Sequence, residues 1–158
     1  MNTGWRIAAV AVGSNLGDRE GHVAFARRRL EGLFRNLRFS SVFETEPHGV
    51  SVPQAAFLNA AAVGETRESA PALVAALLEI ERERGRERPF EHAPRTLDLD
   101  LILLGDSVVN EPDVVVPHPR FRQRRFVLEP LAEIAPDLVD PVSGQTVGGL
   151  LRALLAAG

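Results

Sequence analysis

The sequence predicts an α+β fold: a mostly antiparallel sheet of the split βαβ, ferredoxin-like kind, with helices packed on it and a C-terminal helical extension. Three observations predict it. Strand-like and helix-like segments follow one another in the order β-α-β-β-α-β. Both helical segments carry one apolar stripe and recognisable caps. The chain has 158 residues, which suits one domain with one substantial core, so residues 1–158 read as a single unit.

Each element has its own signal. Arg6 to Val12 reads as a buried strand, followed by a tight turn over Gly13-Ser14-Asn15-Leu16-Gly17. Asp18 is an N-cap for a helix to about Phe34, with Val23, Ala26, Leu30 and Leu33 at helical spacing. Phe39 to Phe43 reads as a short strand, and Ala56 to Val63 as the next one. Ser69 caps a helix with Pro71 in its first turn, where proline is favoured. Leu73, Leu77 and Ile80 line its inner face, and Gly85 stops it. Leu97 to Leu104 is the clearest strand, and the turn at Gly105-Asp106 predicts a hairpin with Ser107 to Val109. Val114 to Val116 is a further brief strand. Val127 to Ala135 reads as a short helix ended by Pro136, and Thr146 caps the last helix.

Composition excludes several kinds of chemistry. With no cysteine there is no disulfide, thiolate metal site or thiol nucleophile. All 18 basic residues are arginine, so neither a Schiff-base lysine nor a P-loop lysine exists. Cationic chemistry must come from Arg, His or a bound metal. A formal net charge of −3 argues against nucleic acid as a partner. No apolar run is long enough to span a membrane, and the start lacks the pattern of a secretory signal. A cytoplasmic location is expected.

The strongest local motif is Pro94-Arg95-Thr96-Leu97-Asp98-Leu99-Asp100. On a strand, Asp98 and Asp100 share a face with Cβ atoms ~6–7 Å apart. Leu97, Leu99, Leu101 and Leu103 are expected on the other face. Two carboxylates aimed together need a positive partner. Oxygen ligands without Cys suit Mg²⁺, and two ions ~3.5–4 Å apart can clamp a polyphosphate. The alternative is an ion-pair network with arginines, or plain solvation.

Four arginines fall in Arg82-Glu83-Arg84-Gly85-Arg86-Glu87-Arg88, and Arg95 adds another. They form either a solvated charged face or a phosphate-gripping loop. His118 lies between Pro117 and Pro119, ahead of Arg120, Arg122, Arg124 and Arg125. It reads as a structural hydrogen-bonding group or as a phosphate contact. Thr45-Glu46-Pro47-His48-Gly49 and Phe57-Leu58-Asn59 suggest a recess for a flat heterocycle: the ring stacks and the amide reads a polar edge. Ordinary packing is the alternative for Phe57 and Asn59.

In combination these motifs resemble the 6-hydroxymethyl-7,8-dihydropterin pyrophosphokinase family. The resemblance runs from the Gly13–Gly17 turn to Ala135-Pro136, and its most specific parts are PRTLDLDLILLG and VPHPRFRQRRFVLEPLAEIAP. It implies pyrophosphoryl transfer from ATP to a reduced pterin alcohol, in folate biosynthesis, with release of AMP. It implies two Mg²⁺ ions, bound with ATP and held by Asp98 and Asp100. Arg86 and Arg95 join those aspartates as catalytic residues, and Glu81, Arg86, Arg88, His118 and Arg124 bind ATP. Thr45, Pro47, Phe57, Asn59 and Phe126 bind the pterin. Phe90 or His92 is left to close over it. His48 stands where the family is familiarly aliphatic, and Asp113 where it can be basic. The expected assembly is a monomer or weak homodimer. Two other classes compete: an RNA-binding module, which lacks its aromatic signature here, and a metabolite-sensing domain without turnover.

Overall fold

A computed structural model describes residues 4–45, 56–85 and 96–157. Its elements are β1 (Arg6–Ser14), α1 (Arg19–Leu33), β2 (Arg35–Phe39), β3 (Phe43–Thr45), β4 (Phe57–Thr66) and α2 (Ala70–Glu83). They continue with β5 (Asp98–Leu104), β6 (Val109–Glu111), β7 (Val114–Val116), a 3-10 turn (Phe121–Gln123), α3 (Arg125–Ile134) and α4 (Val147–Ala157).

The main sheet has the order β2-β4-β1-β5, its strands paired antiparallel among the described residues, and β3 also pairs with β4. β1 and β2 therefore run the same way with β4 inserted between them, as the split βαβ plan requires. Helices cover both faces. Val23, Ala26 and Leu30 of α1 and Leu73, Leu77 and Ile80 of α2 pack on Ala8, Val10, Val12, Leu99 and Leu101. On the opposite face Val127, Leu128 and Leu131 of α3, with Val147 and Leu150 of α4, pack on Ala9, Ala61, Val63 and Leu103. The C-terminal extension thus forms a third layer.

The caps fall where the residue types place them. Asp18 accepts the Gly21 N–H at 3.1 Å, Ser69 the Ala72 N–H at 3.2 Å and Thr146 the Gly149 N–H at 3.0 Å.

Three expectations need correction. The strand expected over Phe39–Phe43 is two strands, β2 and β3, laid along the same edge of β4. Between them Ser40 makes backbone and side-chain hydrogen bonds to Ala61, which holds the edge without regular pairing. The expected hairpin after β5 does not form; β6 pairs with β7 in a separate two-stranded sheet. Gly105, at φ +54, sends its N–H to the Ile7 carbonyl, so the chain turns over β1 and does not return along β5. Leu101 and Leu103 do not share a face, because the β1–β5 register shifts between Ala9 and Val10. That irregularity puts Leu101 under α2 and Leu103 under the C-terminal helices.

Candidate active site

β1 runs to Ser14, two residues past its expected end, so Gly13 lies inside the sheet. Gly13 is paired with Asp98 of β5 on one side and Asn59 of β4 on the other. Cross-strand partners share a face, so Asp98, Gly13 and Asn59 form one row. The next row on that face holds Asp100, Ala11 and Ala61. Two strand spacings, ~9–10 Å, separate the backbones of Asp98 and Asn59. Between them the glycine leaves a bare floor: a Cβ there would stand 3.6 Å from Asn59 Oδ1 and 4.0 Å from Phe57 Cδ1.

The amide side is tightly organised. Asn59 is buried and its Nδ2 donates to Thr45 Oγ1 at 2.7 Å. Phe57 lies opposite Thr45 in the β3–β4 register. Arg19, the first residue of α1, donates to the Ala56 carbonyl at 2.6 Å and fixes the entry to β4. Phe126 stands exposed at the start of α3, with the Arg124 guanidinium 5.5 Å from its ring centroid.

On the carboxylate side a cavity of about 300 Å³ follows β5, the edge strand, between α2 and the segment leading to His118. Glu81, Asp98, Asp100 and His118 supply its polar wall. Val74, Leu77, Leu78 and Val115 supply its apolar end, and Asp113 also lines it. Glu81 is buried, and its Oε2 accepts the Leu99 N–H at 2.7 Å. Ser14 Oγ donates to the Thr96 carbonyl, tying the start of β5 to β1.

His118 follows a cis Val116–Pro117 peptide, and its N–H donates to the Ile102 carbonyl at 3.0 Å. Its Nδ1 accepts the Arg120 N–H at 3.2 Å, so the ring proton of the neutral form is on Nε2. Burial, then the Arg124 and Arg120 charges, push its pKa down to about 4 against an opposing pull from Asp98. His118 is neutral near pH 7.

The structure thus brings Asp98, Asp100, Glu81 and His118 to one cavity, with Arg124 close enough to shift His118. It gathers Thr45, Phe57 and Asn59 on the neighbouring strands. Pro47, His48, Arg86, Arg88, Phe90, His92 and Arg95 lie outside the described residues. Other arginines of the two runs have structural partners: Arg82 with Glu79, Arg84 with His22, Arg122 with Asp140 and Arg125 with Glu129. Sequence reasoning read Gly13 as a turn and missed it as the floor. The signal available was its place directly after the apolar strand.

Mg²⁺ fits this donor set. The chain offers oxygen ligands from one strand, and among the described residues no third His, Cys, Asp or Glu completes a cage. Mg²⁺ typically binds through one or two carboxylates plus substrate phosphates and water.

An antiparallel sheet with a carboxylate-lined cleft along its edge strand and a buried amide on a neighbouring strand defines the class: an α+β domain on the split βαβ plan with a cleft for a small-molecule ligand. The chain belongs to the 7,8-dihydro-6-hydroxymethylpterin-pyrophosphokinase (HPPK) family, whose sequence model matches residues 9–136. The 2-amino-4-hydroxy-6-hydroxymethyldihydropteridine pyrophosphokinase of Synechocystis sp. is 40% identical over 147 residues, 92% of this chain and 74% of that one. Its Bacillus subtilis namesake is 41% identical over 130 residues, 81% of this chain and 77% of that one. Among solved structures, wild-type Plasmodium falciparum HPPK-DHPS with pteroate superposes with a TM-score of 0.75 at 13% identity, over 96% of this chain. That likeness speaks to the fold, and this chain spans only 43% of that longer one. Among the described residues no helix is long and apolar enough to cross a membrane.

Proposed function

We propose that this chain transfers the β,γ-pyrophosphoryl group of ATP to the hydroxymethyl oxygen of 6-hydroxymethyl-7,8-dihydropterin, giving the pterin diphosphate and AMP in folate biosynthesis. The observation that carries this reading is the row Asp98–Gly13–Asn59. It supports the reading because a carboxylate that would suit an ion-bound triphosphate shares one face with an amide that would suit a heterocycle, across a residue with no side chain. Two substrates bound there meet side by side.

In this reading the nucleoside occupies the apolar end of the cavity and the triphosphate lies along Asp98 and Asp100. Two Mg²⁺ ions bound there with ATP would neutralise phosphate charge and lower the pKa of the attacking alcohol. Thr45, Pro47, Phe57, Asn59 and Phe126 hold the pterin and aim its hydroxymethyl group at the β-phosphorus. The pterin oxygen bonds to that phosphorus as the bridge to the α-phosphate breaks. Asp100 accepts the hydroxyl proton. His118, neutral, donates from Nε2 to a nucleotide oxygen, and Glu81 and Arg124 complete the nucleotide site. Arg86, Arg88 and Arg95 approach the phosphates. Positioning and charge stabilisation of this kind carry most of the catalysis in phosphoryl-type transfer.

The same reading treats residues 1–158 as one catalytic domain acting in the cytoplasm on small molecules, as a monomer or weak homodimer, with neither nucleic acid nor membrane as partner. AMP release from ATP, assayed with and without the pterin alcohol, tests it. Pterin-dependent AMP is the expected result. Salt-dependent RNA binding, or pterin binding without AMP, would replace it with one of the competing classes.

A further inference from the structure

Asp140 is completely buried, yet it lies far along the chain from the cleft. Its Oδ1 accepts Arg122 Nη2 at 2.9 Å and the Val142 N–H at 3.0 Å. Its Oδ2 accepts Arg122 Nε and the Ser143 hydroxyl. Burial alone would raise the carboxyl pKa; the hydrogen bonds from Arg122, Ser143 and Val142 overturn that and hold it below the usual carboxylate range. The residue sits on a stiff support. Its N–H donates to the Gln145 carbonyl, Val139 and Thr146 form a β-bridge, and Val147 N–H donates to the Leu138 carbonyl.

Arg122 is the middle residue of the 3-10 turn Phe121–Gln123, and that turn lies in the span between His118 and Arg124. Phe121, fully buried, anchors it in the core. Its N–H faces the His118 carbonyl at 3.5 Å, and its own carbonyl accepts the Arg124 N–H at 3.2 Å. The Arg124 carbonyl then accepts the Val127 and Leu128 N–H groups, starting the helix that bears Phe126. One two-pronged pair therefore fixes the segment from which His118, Arg124 and Phe126 all project. A planar guanidinium held at two points on a buried carboxylate fixes orientation as well as distance.

We infer that Arg122 and Asp140 are positioning residues for this reaction: their ion pair holds His118 and Arg124 in register with the nucleotide site. The inference rests on the proposed function, since it takes those two side chains as nucleotide contacts. Arg122 thereby serves ATP without touching it.

The test uses the full chain and the paired replacement Arg122→Met/Asp140→Leu, with Asp140→Ala beside it. Removing a buried pair together leaves no uncompensated charge, so the double variant is expected to fold, whereas Asp140→Ala strands a guanidinium. Melting curves fix an assay temperature at which all variants are folded. The expected result for the double variant is a rise in KM for ATP on the order of tenfold, the scale of lost outer-shell support, with kcat changed far less. Calorimetry with Mg²⁺ and a non-hydrolysable ATP analogue should show the same loss. An unchanged KM and analogue affinity in a folded double variant would assign the pair to stability alone and overturn the inference. Absence of AMP release by the parent chain would instead defeat the proposed function.

Discussion

Glu81 Oε2 accepts the backbone N–H of Leu99 at 2.7 Å, inside the core and between the two aspartates of β5. A buried carboxyl group on α2 thus holds the strand that carries Asp98 and Asp100. Leaving a buried donor unsatisfied costs ~1–3 kcal/mol, so Glu81→Ala, which strands the Leu99 N–H, should lower unfolding free energy by about 2 kcal/mol in urea titration. Glu81→Gln keeps an acceptor carbonyl and should retain more of the stability. Equal loss in both would show that Leu99 is not the partner that counts.

Asp98 and Asp100 share a face beside Gly13 and Ala11. Asp98→Ala and Asp100→Ala should each cut turnover by orders of magnitude while circular dichroism and melting stay close to the parent. Single-turnover rates decide: unaltered rates in either variant remove that aspartate from the chemistry.

Gly13 has no positive φ and a Cβ there meets only ordinary contacts, so Gly13→Val is compatible with the backbone. Its methyl groups would occupy the floor beside Asn59. We expect a folded protein whose KM for the pterin rises at least about tenfold, the scale of one extra methylene in a fitted pocket. A pterin KM equal to the parent's would mean the heterocycle binds elsewhere.

Gly64 shows the opposite constraint. It lies in β4 where the chain leaving α1 crosses, and a Cβ there would stand 2.6 Å from Phe34 Cβ. Neither atom is the free end of a side chain. Gly64→Ala should cost ~1–3 kcal/mol, the range for overpacking, measured by denaturant unfolding. No measurable loss would show that Phe34 can move aside.

His118 has a pKa of about 4 against an ordinary 6.5, so the unfolded chain binds the proton more readily. Its contribution to stability is constant above that range and falls as pH drops through 6.5 toward 4. His22 is shifted the same way, by burial and then by Arg84. Asp140 acts in a separate, lower window: its contribution is present above the ordinary 3.8 and is lost as pH falls below it. His118→Gln should flatten the stability profile between pH 6.5 and 4 and leave the more acidic limb in place. An identical slope in parent and variant would place the proton uptake elsewhere.

The elements were largely legible along the chain because periodicity and caps are local. Asp18, Ser69 and Thr146 cap the helices the sequence assigns them, and Asp98 and Asp100 take one face of the strand their spacing predicts. Pairing was less legible. β6 chose β7 over β5 because strand pairing is a long-range choice that no neighbouring residue marks, and Leu101 parted from Leu103 because residues 101–104, buried on both faces, are all apolar and carry no mark of the irregularity.

Local residue order was enough to specify the carboxylate pair, the amide-bearing strand and the family resemblance. Which groups share a floor was decided in three dimensions. Asp98, Gly13 and Asn59 come from distant parts of the chain, and only the register of three strands lines them up. The partner of Arg122 was equally hidden. Its neighbours suggest a phosphate ligand, and a buried carboxylate 18 residues away holds it, because long-range packing and not adjacency determines which charge it meets.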